Sequence, residues 1–270
     1  MNMKNINILA ILLLLTACSN PAKNGTAEGT DSDQDVMVVE TDSNLTVTVD
    51  GVTFKMIRVE GGSFQMGSND GYDREKPIHQ VTLGSFSIGE TEVTQELWEA
   101  VMGSNPSEFK GSKRPVESVG WNDCQTFISK LNERTGKTFR LPTEAEWEFA
   151  ARGGNSSNGY IYSGSNMVDE VAWYYSNSSN TTHNVGTKAS NELGIYDMSG
   201  NVYEWCQDWE SSNYYSSSPE NNPTGPSSGS FRVCRGGSWY GEDAIVCRAA
   251  YRCSGPPTER NSSIGFRIAL

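Results

Sequence analysis

The chain has 270 residues, 33 acidic and 21 basic side chains, and a formal net charge of −12 at pH 7. This length suits one large domain, and the acidic balance excludes a protein that binds nucleic acid through a basic face. The two histidines, His79 and His183, are too few for a zinc site built on several histidines.

The first 17 residues have the pattern of an export signal. One charge, Lys4, precedes an apolar run at 6–15 that is too short to span a bilayer, and small residues lead into Cys18. This pattern predicts a lipoprotein signal peptide over 1–17, with Cys18 as the lipidated N-terminus. The alternative is a buried N-terminal helix. Because Ser19 follows the cysteine, we expect a membrane-anchored protein of the cell envelope, held in the outer membrane.

The next segment, residues 18–46, has the composition of a tether. Beyond Cys18 it carries six acidic side chains against one base, Lys23, with glycine, serine and threonine between them and no aromatic residue. Such a stretch buries too little apolar area to offset the entropy lost on ordering. We therefore predict a disordered acidic tether that holds the folded domain away from the membrane.

The folded domain is predicted to span residues 47–270. Apolar residues alternate on both sides of the turn at 50–51, which predicts a hairpin, and alternation returns from 79 to 88. Helices are expected from Gln95 to Met102, from Asn122 or Asp123 to Leu131, and from the capping box at Thr143 to the glycines at 153–154. Beyond them, short strand-like pieces alternate with Gly, Asn, Ser and Pro clusters. The pattern predicts one loop-rich α+β domain.

The third helix opens with three carboxylates, Glu144, Glu146 and Glu148. Acid–base chemistry is one interpretation of such a group. Carboxylates in the first turns of a helix commonly cap free N–H groups and interact favourably with the helix dipole. We therefore expect these side chains to stabilise the helix.

A series of ordered blocks resembles one family. The blocks lie, in chain order, at 61–67 with 90–94, 115–123, 140–148, 200–205, 235–239 and 265–267. Together they resemble the sulfatase-modifying-factor family, whose founding activity is the formylglycine-generating enzyme. The resemblance implies a variant of the C-type lectin fold with little regular secondary structure. For active members it implies a copper- and O2-dependent oxidation of a substrate cysteine to formylglycine.

The resemblance also implies a structural calcium ion. Family members bind calcium through two side chains and two carbonyls, and the matching positions here are Asp197, Gly200, Val202 and Glu204. Carboxylate and carbonyl oxygens are the ligands that calcium takes. The alternative is a turn in which Glu204 pairs with a nearby arginine. The family's second calcium site would fall near residues 171–173, where the expected side-chain ligand is missing.

The copper-binding cysteine pair of the family has no counterpart in this sequence. In active members two cysteines, with four residues between them, follow the Gly-Gly-Ser segment and bind copper(I), which prefers sulfur ligands. Here the first position falls on or near Gly241, and no cysteine lies between Ser238 and Cys247. Cys247 and Cys253 have five residues between them and lie close to the C-terminal block. We therefore assign no catalytic residue and expect no copper.

The remaining cysteines have structural interpretations. Cys124 lies on the apolar face of a predicted helix and is expected to be a buried thiol. Four others, in the C-terminal third of an exported chain, are candidates for one or two disulfide bonds: Cys206, Cys234, Cys247 and Cys253. The sequence does not assign their pairing.

Three functions remain open from the sequence. The first is a noncatalytic lipoprotein that binds a protein or glycan, or that scaffolds an envelope complex; the missing cysteine pair and the lipid anchor favour it. The second is an active formylglycine-generating oxidase for exported sulfatases. The third is an iron-dependent oxidase like the sulfoxide-forming relatives, which rely on a histidine-rich region, whereas this chain has two histidines.

Overall fold

The computed structural model describes residues 36–41 and 44–270. These residues fall within one compact unit. The predicted signal peptide at 1–17, the lipidation site Cys18 and most of the predicted tether lie outside the described residues. Within the described ranges, none of the helices has the length and apolar character needed to cross a membrane.

Among the described residues, the domain combines ten strands with four α-helices, joined by long loops. The strands are β1 (Val36–Glu40), β2 (Asn44–Val49), β3 (Val52–Val59), β4 (Gly62–Met66), β5 (His79–Leu83), β6 (Phe86–Gly89), β7 (Tyr203–Trp209), β8 (Arg232–Arg235), β9 (Cys253–Gly255) and β10 (Ile264–Gly265). The helices are α1 (Gln95–Met102), α2 (Trp121–Thr135), α3 (Glu144–Ala151) and α4 (Val168–Val171). This composition confirms the predicted loop-rich α+β class.

The strands form three sheets. One has the order β1-β2-β3-β6, another the order β10-β7-β8-β9, and β4 pairs with β5 alone. The β2–β3 hairpin turns at Asp50 and Gly51, both of which have positive φ, as the alternating pattern predicted. In the second sheet β7 pairs antiparallel with β8 and parallel with β10, so the last strand joins the sheet beside β7.

Ordered structure begins earlier than the sequence predicted. Strand β1 and the start of β2 lie inside the segment 18–46, which we expected to be a disordered tether. Val36 and Val38 pair with Val49 and Val47 of β2 and pack against the hydrophobic core. Apolar residues at alternating positions give this short strand a face that contacts the core. The acidic residues on either side dominate the local composition, so composition alone does not reveal that face. The tether prediction is therefore wrong for residues 36–40.

Local capping explains the helix limits. The Thr94 side chain accepts the Leu97 N–H at 3.3 Å at the start of α1. Helix α2 begins one residue before the predicted cap because Asp123, in its first turn, accepts the Gly120 N–H at 2.8 Å. Gly136, with φ of 67°, ends α2 four residues beyond the predicted end.

Two hydrophobic clusters fill most of the interior. The first joins α1, α2 and the β2–β3 hairpin, where Trp98 stacks on Phe127 with ring centroids 5.3 Å apart. The second surrounds α3, every residue of which is buried. Because α3 carries three glutamates, its burial requires charge partners from elsewhere in the chain.

Candidate functional site

The carboxylates of α3 are held mainly by arginines. Arg235, fully buried, donates to Glu144 at 3.1 Å and to Glu148 at 2.5 Å, and Arg252 donates to both oxygens of Glu144 at 2.6 and 2.8 Å. Glu146 forms the predicted capping box with Thr143. The capping prediction is thus correct for Glu146, whereas Glu144 and Glu148 are partners in buried ion pairs. We call Glu144, Glu148, Arg235 and Arg252 the α3 ionic cluster.

The four predicted calcium positions lie in one turn and the strand that follows it. Asp197, Gly200 and Val202 precede β7, and Glu204 is its second residue. Asp197 and Gly200 both have positive φ. Only glycine fits at position 200, because a Cβ there would lie 2.4 Å from the carbonyl oxygen of Trp173. The backbone of this turn is therefore tightly specified.

Both carboxylates in this turn have partners in the protein. Arg267 donates Nε and Nη2 to the two oxygens of Glu204, each at 2.6 Å, and Trp147 Nε1 donates to Glu204 Oε2 at 2.6 Å. The Gly186 N–H donates to Asp197 Oδ2 at 2.7 Å. This is the arginine-paired turn that the sequence left as the alternative.

The contacts do not fit the predicted calcium ligation. Both oxygens of the Glu204 carboxylate accept hydrogen bonds from one guanidinium group. The carboxylate is therefore poorly placed to act as the fourth ligand of the predicted calcium ion. Calcium at these positions stays a prediction without support from this geometry.

Glu92 joins the same cluster, which sequence reasoning missed. Its carboxylate accepts Asn201 Nδ2 at 2.7 Å and the Val202 N–H at 3.1 Å. Burial, followed by the charges of Asp197 and Glu204, raises the pKa of Glu92 well above its usual range. Burial likewise raises the pKa of Asp197 to about 6. The acidic block at 90–94 was a sequence signal for this carboxylate. Its contact with Asn201 and Val202, more than 100 positions later, was not predictable from the sequence.

The segment at the family's copper positions contains no accessible thiol. A Cβ on Gly241 would lie 2.5 Å from Val246 Cγ2, so this position is packed closely against the end of its own loop. The next thiol, Cys247, is fully buried in a cluster with Ala172 and Tyr174. Burial raises the pKa of Cys247 to about 12, which keeps it protonated at neutral pH.

The structure pairs two of the four candidate disulfide cysteines. Cys234 and Cys253 face each other across β8 and β9, with Cα atoms 4.7 Å apart, and form a disulfide bond. Cys206 and Cys247 are buried free thiols, as is Cys124. Cys206 cannot join the bridge because its neighbour Trp205 is the residue that pairs with Cys234, so Cys206 faces the other side of the sheet.

Each histidine has a local structural role. His183 stacks on Trp173 with ring centroids 3.7 Å apart, and its Nε2 lies 2.8 Å from the Ser178 carbonyl oxygen. His79 packs on Tyr215 at 4.5 Å between centroids, and its Nδ1 lies 3.1 Å from the Pro77 carbonyl oxygen. The two imidazoles therefore have different neighbours rather than a shared site.

An exposed aromatic surface surrounds the copper-equivalent loop. Tyr240 and Tyr175 are 56% and 49% exposed, and the Tyr175 N–H donates to the Gly241 carbonyl at 3.4 Å. Trp239 lies beneath them: its Nε1 donates to the Ser262 carbonyl at 2.8 Å, and its ring meets Phe109 and Tyr240 edge-on. We call Phe109, Tyr175, Trp239 and Tyr240 the aromatic loop face. The Trp-Tyr pair that follows the Gly-Gly-Ser segment is the sequence signal for this face.

Comparisons with known proteins agree with this fold. The family model of the sulfatase-modifying factor enzyme 1-like domain matches residues 46–270. The solved structure of Treponema denticola variable protein 1 is similar with a TM-score of 0.79 and 39% identity, covering 85% of this chain and 99% of that one. The curled sheet and long loops agree with the variant of the C-type lectin fold that the resemblance implied.

Curated relatives carry different names on the same domain. Chaperone protein LppX of Paenibacillus barcinonensis is 38% identical over 74% of this chain and 81% of the relative. The formylglycine-generating enzyme of Streptomyces coelicolor is 30% identical over 79% of this chain and 88% of that enzyme. The serine/threonine-protein kinase Pkn1 of Chlamydia trachomatis is 35% identical over 80% of this chain, and the chain spans 38% of that kinase's length.

Proposed function

Because the chain belongs to the sulfatase-modifying-factor family, we propose that it is a noncatalytic member that acts by binding. In this proposal the protein is an exported lipoprotein, anchored through Cys18 in the outer membrane of the cell envelope. Its domain binds a protein or glycan partner, or scaffolds an envelope complex. The family alone does not decide between these roles and catalysis, since its members have different activities.

The state of the thiols carries the proposal. Copper(I) chemistry of the family's kind needs two thiolates that reach one ion. Here Cys247 is buried with a pKa raised to about 12, and Cys253 is bonded to Cys234. The two cysteines nearest to the copper-equivalent positions are therefore committed to packing and to a disulfide bond.

The aromatic loop face supports a binding role. Exposed tyrosines supply large contact area at a low cost in side-chain entropy, which suits a recognition surface. Tyr240 and Tyr175 project beside the loop that would carry the copper pair in an oxidase. The name of the relative LppX, a chaperone protein, favours a protein as the partner among the alternatives.

The alternative is an active formylglycine-generating oxidase that acts on a sulfatase cysteine. The similarity to the Streptomyces enzyme over 79% of this chain favours it. For that activity Cys247 would have to leave its buried site, and Cys253 its disulfide bond with Cys234. The alternative thus requires a rearrangement of two packed segments.

Copper(I) binding by the purified protein separates the two candidates. We expect the protein to leave copper(I) with a competing chromogenic chelator, because the cysteines that the structure describes offer no accessible pair of thiolates. The Streptomyces enzyme serves as the positive control. Retention of one copper ion per chain that is lost in Cys247→Ser would overturn the noncatalytic proposal.

The lipid anchor has its own test. Mass spectrometry of the N-terminal peptide from cells should show acyl chains on Cys18, and Cys18→Ala should move the protein out of the membrane fraction. Ser19→Ala is the matched control, which keeps the acylated cysteine. A membrane-bound Cys18→Ala protein would contradict this anchor without affecting the proposal for the domain.

A further inference from the structure

A half-open cavity of about 600 Å³ lies between α2 and the loop at 222–224. Gln125, Ile128, Ser129 and Asn132 line one wall, and their spacing places them on one face of α2. The cavity belongs neither to the aromatic loop face nor to the turn at 197–204. Its volume lies within the range of small-molecule sites.

The opposite wall is fixed to the sheet. The Asn222 N–H donates to the Thr82 carbonyl at 2.9 Å, and the Thr82 N–H donates to the Glu220 carbonyl at 2.7 Å. Asn222 Oδ1 also accepts the Gly84 N–H at 2.9 Å. These bonds tie Glu220 and Asn222 to the end of β5 and to Gly84 just after it, so hydrogen bonds hold this wall of the cavity in place.

The apolar side chains in the floor of the cavity expose little of their own surface. They are those of Leu83, Ile128, Phe139 and Leu141, and each is almost completely covered by the protein, with Leu83 only 5% exposed. A ligand that binds by burying an apolar side chain would therefore gain little here. The cavity suits a ligand held by hydrogen bonds.

The rim provides such bonds from neutral groups. Gln125 Nε2 donates to Gln207 Oε1 at 3.3 Å, and among the described residues neither Gln125 Oε1 nor Gln207 Nε2 has a further partner. Ser129 and Asn222, both exposed, add a hydroxyl group and an amide Nδ2 to the lining. The cavity thus presents free donors and free acceptors side by side.

The charges around the cavity cancel. Arg140 and Glu146 are the charged residues among those described that line it, and they form a bidentate pair at 2.6 and 2.7 Å. A phosphate or a carboxylate ligand would need an uncompensated cation, and a cationic ligand would need an uncompensated acid. The site therefore matches a neutral ligand.

We propose that this cavity is a binding site for a neutral saccharide of one or two sugar units. Each sugar hydroxyl both donates and accepts, which matches the mixed set of amide and hydroxyl groups contributed by Gln125, Ser129, Gln207 and Asn222. A peptide segment is the competing class, and the covered floor disfavours it. The inference stands independently of any partner at the aromatic loop face.

Saturation-transfer NMR on the purified full chain, in a detergent without sugar groups, tests the site. The probes are N,N′-diacetylchitobiose, maltose and lactose, with the tetrapeptide Gly-Ser-Gly-Ser in parallel. We expect transfer to at least one disaccharide and none to the tetrapeptide. Gln125→Ala and Ser129→Ala should each weaken the affinity by about tenfold, because each removes a hydrogen bond to the ligand.

Gln80→Ala is the matched control. It breaks another glutamine pair, Gln65 with Gln80 on β4 and β5, outside the cavity. We expect it to leave the affinity unchanged, with equal melting temperatures for all three variants. Absence of transfer to all three disaccharides, equal affinity in Gln125→Ala, or transfer to the tetrapeptide alone would overturn the proposal. The copper(I) measurement is unaffected by any of these results.

Discussion

One residue of the α3 ionic cluster, Arg235, and one of the aromatic loop face, Trp239, are four positions apart in the chain, yet the two groups differ in what their side chains do. Arg235 is fully buried, and two glutamates and two backbone carbonyls accept its hydrogen bonds. Tyr240, one residue past Trp239, has more than half of its side chain in solvent. Arg235, a motif residue that carries the family resemblance, lies in the interior. Tyr240, which can contact a partner, lies just after that motif in the chain. A family match therefore predicts the fold better than the activity.

Removing Arg235 should have the largest effect. Arg235→Met leaves the buried Glu148 and Glu144 short of a counter-charge, and we expect a loss of about 3–5 kcal/mol in the free energy of unfolding. Denaturant unfolding measures it. Arg58→Met, which breaks an exposed pair with Glu60, is the control and should change stability by less than about 0.5 kcal/mol. Equal losses in the free energy of unfolding of the two variants would contradict the expected difference between buried and exposed ion pairs.

The pH dependence of stability is a second test of how buried charged groups differ from exposed ones. Burial and the charge of Glu144 raise the pKa of Asp208 to about 8 from its ordinary value of 3.8. The folded state therefore keeps a proton that the unfolded chain has released, so this contribution to stability is complete below pH 3.8 and is lost as the pH rises through about 8. Asp208 alone should contribute a slope of about −1.4 kcal/mol per pH unit between those values, in addition to the contributions of Glu92 and Asp197, whose pKa values are also raised.

Asp208→Asn should flatten this slope, because asparagine can still accept the Glu144 N–H without titrating. Unfolding free energies measured at about pH 5 and about pH 8 give the difference. Asp73→Asn, at a fully exposed position, should leave the slope intact. A slope that is unchanged in Asp208→Asn would contradict a raised pKa of Asp208.

A substitution in the aromatic loop face should affect partner binding and leave the stability of the fold nearly unchanged. Tyr240→Ala should change the free energy of unfolding by less than about 0.5 kcal/mol, because the side chain is largely solvated, but it should remove binding to the partner. A photo-crosslinking residue at position 240 in cells should give a discrete adduct. The same residue at position 72, where Tyr72 is 47% exposed, is the control. Identical adducts at both positions would contradict a specific face.

Calcium should have the smallest effect. Arg267 already supplies the charge that Glu204 needs, so a chelator should change the melting temperature by less than about 1 °C. Differential scanning calorimetry measures the shift. A fall of several degrees on chelation, absent in Asp197→Asn, would instead restore the calcium site that the family resemblance implied.

Local chemistry made much of the fold predictable. The cap at Thr94, the capping box at Thr143 and the turn at Asp50 each depend on residues within a few positions, and all three lie where the sequence placed them. Strand β1 was missed because its five residues lie between acidic neighbours that dominate the local composition. A short strand is stabilised by hydrogen bonds to a neighbouring strand, and the sequence of the short strand alone does not identify that neighbour.

The site was less predictable because its contacts are long-range. Glu204 meets Arg267 across 63 positions, so spacing within the motif indicated two acidic ligands and not their partner. The disulfide pairing follows from the register of β8 and β9, which places Cys234 opposite Cys253. The absence of a cysteine pair after Ser238 was visible in the sequence itself. The structure added the burial of Cys247, which sequence spacing could not give.

A direct assay for formylglycine decides whether this family member binds a partner, as we propose, or oxidises a substrate. The purified protein is incubated with copper(I), O2 and a peptide containing Cys-x-Pro-x-Arg, and mass spectrometry detects the aldehyde. We expect unmodified peptide under conditions in which the Streptomyces formylglycine-generating enzyme converts it. Formylglycine formed with multiple turnovers, and lost in Cys247→Ser, would contradict a noncatalytic role.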